Sequence, residues 1–111
     1  MSNLTLNGAE AATTTLMERW RQLAAIVEEA TKLKEEAARD PSRATDPWVV
    51  AHVRWLNVFE RELAAVQKVY EAVEAGAKLS TDDVRAASDA AEKLLGIITE
   101  ARVRTREPQP A

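Results

Sequence analysis

The sequence predicts an all-α fold, an elongated antiparallel three-helix bundle that runs up-down-up. Three observations predict it. Ala, Glu, Arg, Leu and Lys supply 59 of the 111 residues, a share that marks long helices or a coiled coil. Apolar residues recur three and four apart in three separate blocks, and no block shows the alternation of a strand. Pro41, Pro47 and Gly76 fall between those blocks. The length suits one domain, and 46% hydrophobic residues allow a slender core.

Residues 1–7 form a short lead. The first helix is expected over 8–39. Asn7 is a plausible N-cap with Glu10 three residues on, and Thr15 with Glu18 is a competing capping box. The threonines at 13–15 weaken the helix locally, because β-branching restricts their rotamers. The earlier start is preferred. Leu16, Trp20, Leu23, Val27, Ala30, Leu33 and Ala37 make its apolar stripe. Asp40-Pro41 ends the helix, since the residue before proline is pushed out of the α region.

Asp40 to Asp46 read as a linker. Asp46-Pro47 then supplies N-cap and first position of a second helix over 47–75, where proline's missing N–H is harmless. Its stripe is Val49, His52, Leu56, Phe59, Leu63, Val66, Tyr70 and Val73. Gly76 supplies the left-handed residue that ends many helices. Ser80 caps the third helix, expected over 81–104, and Leu79 with Val84 fits a hydrophobic staple. Asp82 and Asp83 sit at the positive end of its dipole, Arg102 and Arg104 near the negative end. Its stripe is Val84, Ala87, Ala91, Leu94, Ile98 and Ala101. Residues 105–111 contain two prolines and are expected to be a flexible tail. Short links between long helices favour antiparallel neighbours. A helix of about 29 residues spans roughly 45 Å, which predicts a rod.

Composition narrows the chemistry. The chain has no cysteine, so disulfides and thiolate metal sites are excluded, and it has one histidine. Eighteen acidic against fifteen basic residues give a net charge of -3, without the basic excess of a general nucleic-acid binder. No apolar run approaches the roughly 20 residues that span a bilayer, and no basic amphipathic helix suggests a peripheral membrane protein. The first twelve residues lack a positive segment followed by an apolar one, so no secretory signal is read. The expected location is the cytoplasm or an assembly.

His52 is the one imidazole. Ala51-His52-Val53-Arg54 resembles the opening of the histidine phosphotransfer motif, a helical-bundle family with an exposed phosphorylated histidine. Trp55 and Leu56 then stand where that motif has lysine and glycine. The preferred reading is a core-edge histidine bonded to a neighbouring helix, because a nucleophile must be accessible. Serine triads fail for want of a second histidine. Neighbouring carboxylates such as Glu28-Glu29 and Glu35-Glu36 point about 100° apart on a helix and do not converge. No Glu precedes His52 by three residues, so the bundle di-metal motif is absent. No catalytic residue, metal ligand or cofactor is assigned.

Surface candidates remain. Trp48 and Trp55 lie two helical turns apart on a flank that Val58 and Val69 extend. Helix 2 is accordingly expected to touch both other helices, with part of the flank a partner surface, since Trp is a favoured anchor. Ala86 and Ala90 give helix 3 a small face that admits a close helix. Gly96 is either a tolerated weakness or a place where a partner backbone comes close; the first is preferred. Arg102, Arg104 and Arg106 form a sparse basic cluster that could meet phosphate.

The length and helical content resemble the small secreted WXG100-type hairpins. Tyr70-Glu71-Ala72-Val73-Glu74 is similar to that system's tyrosine-x-x-x-acid signal, although Trp55 is followed by Leu56 and Asn57, not by the Trp-x-Gly turn. The expectation is a non-enzymatic protein–protein interaction or self-assembly subunit, a homo-oligomer, compatible in composition with a bacterial or phage assembly. The alternative is a small regulatory or nucleic-acid-linked adaptor that uses the basic C-terminal segment.

Overall fold

The computed structural model describes the backbone of residues 3–106 and the side chains of 11–105. Within it the chain forms four α-helices and no strand: α1 Asn3–Arg39, α2 Pro47–Val58, α3 Glu60–Glu74 and α4 Thr81–Arg106. A 3-10 turn, Arg43–Thr45, occupies the first linker. The molecule measures 59 × 30 × 17 Å. The 37 residues of α1 account for about 55 Å of that length at 1.5 Å per residue.

The capping residues act as their chemistry dictates. Asp46 Oδ1 accepts the Trp48 N–H at 2.9 Å, with Pro47 at the first position of α2. Gly76 adopts φ 81°. The Gly76 N–H reaches the Val73 carbonyl at 3.0 Å and the Ala77 N–H reaches Ala72 at 2.9 Å, the paired bonds of a Schellman motif. Ser80 Oγ accepts the Asp83 N–H at 3.0 Å. Leu79 is half-buried and Val84 buried, as a staple requires. In the linker, Asp40 Oδ1 accepts both the Ser42 N–H at 3.1 Å and the Ser42 hydroxyl at 2.7 Å. These two bonds favour the carboxylate and hold the Asp40 pKa below its ordinary value of 3.8.

Three expectations need correction. The first helix begins at Asn3, so neither Asn7 nor Thr15 starts it, and residues 3–7 are helical backbone in place of a lead. The block expected as one helix over 47–75 is two. Phe59 departs to φ -102°, ψ 18° and separates α2 from α3. The ladder survives the change: the Phe59 N–H meets Trp55 O at 2.9 Å and the Leu63 N–H meets Phe59 O at 2.8 Å. It is therefore a kink. Asn57, Val58 and Phe59 are three consecutive weak helix formers, and Glu60 and Glu62 then favour a fresh N-terminus. The last helix extends to Arg106, two residues past the expected end. Residues 107–111 of the expected tail lie outside the described residues.

The core joins Leu16, Trp20, Leu23 and Ala30 of α1, Trp55 of α2, Leu63 and Val66 of α3, and Val84, Ala87, Ala91, Leu94 and Ile98 of α4. Leu16, Leu23 and Ile98 are fully buried, and each such side chain contributes roughly 1.5–3 kcal/mol relative to exposure. The α1–α4 pair is the most extensive, and α2 touches both α1 and α4. No helix among the described residues is long and apolar enough to cross a membrane.

Candidate functional site

Along 47–74 the buried side chains fall on both sides of the kink. Val49, His52 and Trp55 are the buried residues of α2, and Leu63 and Val66 those of α3. Leu56 and Phe59, expected in the stripe, are half-buried. The expected flank Trp48, Trp55, Val58 and Val69 is consequently not one surface. Trp55 is 5% exposed and belongs to the core, and Val58 is 62% exposed. Trp48 is half-buried, and Val69 faces α4.

Trp48, His52 and Trp55 follow one another along α2, with the imidazole centre 4.3 Å from that of the Trp48 ring and 5.6 Å from that of the Trp55 ring, tilted by 55° to each. His52 is fully buried. Its Nδ1 lies 2.7 Å from the Trp48 carbonyl, which can only accept, so Nδ1 carries the proton and donates. No part of the His52 side chain is exposed, and this bond runs to a carbonyl one turn back on its own helix, where a bond to a neighbouring helix was expected. The Trp55 indole N–H is buried without an acceptor among the described residues.

The Arg102 guanidinium lies 5.3 Å from the centre of the Trp48 ring and donates to Glu29 at 3.0 Å. One side chain thus ties α4 to both α1 and α2. Arg104 pairs with Glu100 one turn earlier at 2.6 Å. Two of the three arginines in the expected basic cluster are therefore held by carboxylates. The side chain of Arg106 lies outside the described residues.

The remaining candidates divide. Gly96 is exposed, and a Cβ added there would meet nothing within 4 Å. Val69, Ala86 and Ala90 converge. They line one groove of about 470 Å³ between α3 and α4, together with Ala65, Val66, Ala72, Leu79 and Ala87. Small side chains on both facing helices leave this space open. Glu62, Lys68 and Asp83 also line it and are exposed. Among the described residues neither Glu62 nor Asp83 makes an ion pair. Sequence reasoning found Val69, Ala86 and Ala90 but not Ala65 and Ala72, whose four-and-three spacing with Val69 was the available signal.

Comparison with known protein families, curated proteins and solved structures finds no match to this chain.

The groove's ionisable lining is the carboxylates of Glu62 and Asp83 and the amine of Lys68. Among the described residues, no three His, Asp or Glu side chains gather as metal ligands would. What the groove can do chemically is exclude water from an apolar surface of matching shape, with carboxylates at hand to orient a cation.

Proposed function

We propose that this chain is a non-catalytic helical interaction module that associates with further copies of itself through the α3/α4 groove. One observation carries the reading: an open groove of about 470 Å³ between α3 and α4, lined mainly by alanine, valine and leucine with Glu62, Lys68 and Asp83 beside them. Apolar surface left in water is the reservoir from which association draws its free energy. A floor of alanines lets another helix come near the 8–10 Å at which helices pack.

The reading includes an up-down-up path with residues 47–74 as one kinked arm. It is supported by Trp20 meeting Tyr70 at 5.9 Å while Lys34 and Leu56 line one cavity. It is also supported by Arg102 meeting Glu29.

Light scattering over a concentration and salt series tests it. The wild-type mass should rise above 12.2 kDa and stay raised in high salt. Ala86→Arg, a change at an exposed position, should return the chain to a monomer with unchanged helix content. A wild-type monomer at every concentration would refute the proposal. The adaptor reading finds less support, because Arg102 and Arg104 are already engaged by Glu29 and Glu100.

A further inference from the structure

Among the described residues the groove is not alone as an unfilled apolar surface, and another lies on the outer side of α2. Val50 and Val58, which stand exposed, lie there with Val53, Arg54 and Asn57 along a second depression bounded by Ala37 of α1. The spacing 50, 53, 54, 57, 58 is that of a single helix face.

The charges on the two surfaces differ in sign. Helix α2 contains no Asp or Glu, and Arg54 is its one formally charged side chain. Arg54 is exposed and makes no ion pair among the described residues. The groove presents two carboxylates, Glu62 and Asp83, against the single amine of Lys68. The side chains also differ in size: Val50, Arg54 and Val58 make an i, i+4 row on α2 that flanks its depression, whereas alanines line the groove. Packing a ridge into a groove is how helices associate.

We infer that the occupant of the α3/α4 groove is the α2 ridge of a second copy, with Arg54 set against Glu62 and Asp83. This rests on the self-association proposed above and adds which surface fills the groove. The contact joins two different patches, so it is heterologous. Burial of Val50 and Val58 supplies the driving force, while the opposite charges fix direction and disfavour groove-to-groove pairing.

Two half-blocked variants test it by mixing. Ala86→Arg fills the groove and sets a like charge against Arg54 but leaves the ridge intact. Val58→Glu sets a like charge against Glu62 and Asp83 but leaves the groove intact. Both positions are exposed, so circular dichroism should show both variants as helical as wild type. Each variant alone should scatter as a monomer of 12.2 kDa. Their equimolar mixture should double in mass, because one copy retains a groove and the other a ridge. A mixture that stays monomeric overturns the inference, as does a Val58→Glu variant that associates as wild type does. In that second case a monomeric Ala86→Arg would still uphold the groove as the interface.

Discussion

Replacing Gly96 with alanine should stabilise the protein. Gly96 lies inside α4, sixteen residues from its start at Thr81 when both ends are counted. Glycine in a helix interior is disfavoured by about 1 kcal/mol relative to alanine, because the unfolded chain has more freedom to lose. The gain survives only if the added methyl group fits, and a Cβ there meets no atom within 4 Å besides its own helix backbone. At a melting-temperature shift of roughly 4–8 °C per kcal/mol for a domain near this size, thermal unfolding followed by circular dichroism should register a rise of several degrees. Gly76→Ala is the internal control. Gly76 sits at φ 81°, where an L-residue is strained by roughly 1–2 kcal/mol. The two substitutions are chemically the same and should move the melting temperature in opposite directions. A fall for Gly96→Ala would refute the reasoning. It would place a close neighbour against that face of α4, and a concentration-dependent fall would identify the neighbour as another chain.

Trp55→Ala should destabilise by about 3–5 kcal/mol in urea titration, because a buried indole leaves a cavity between α2, α1 and α4; a loss under about 1 kcal/mol would mean Trp55 is not in the core. Asp46→Ala should cost about 1 kcal/mol through the lost cap on the Trp48 N–H, read in the same titration, with no loss counting against the cap. The Asp40 carboxyl should titrate below 3.8 by NMR, and Ser42→Ala should bring it back up. A depressed folded-state pKa means this contribution is present above the unfolded-state value and is lost as pH falls through the folded-state value; an unmoved titration in Ser42→Ala would remove the hydroxyl as cause.

The features legible in the sequence were the local ones. Asp46-Pro47, Gly76 and Ser80 act on backbone groups within four residues, so their roles follow from chain order alone. The α4 stripe from Val84 to Ile98 was readable because an unbroken helix keeps its period. Reading failed where several neighbours compete. Asn57 to Phe59 lie within an unbroken three-four pattern, and that pattern conceals the kink at Phe59. The start at Asn3 is hidden because Asn7 and Thr15 both carry the side chains of an N-cap further along the chain. The groove needed tertiary information. Val69 and Ala90 are 21 residues apart, and only the docking of α3 on α4 brings them to one space.

The three indoles also differ in what surrounds them, and this divides the ultraviolet emission of the chain among separate joints. Trp20 faces Tyr70 across α1 and α3, so its emission follows that seam. Trp48 lies under the Arg102 guanidinium and beside the imidazole, so it senses release of α4 from α2. Trp55 is sealed in the core beside the same imidazole and would redden only when the interior opens. Variants retaining one indole each would show whether the two ends of the rod loosen together or in turn, without any added label.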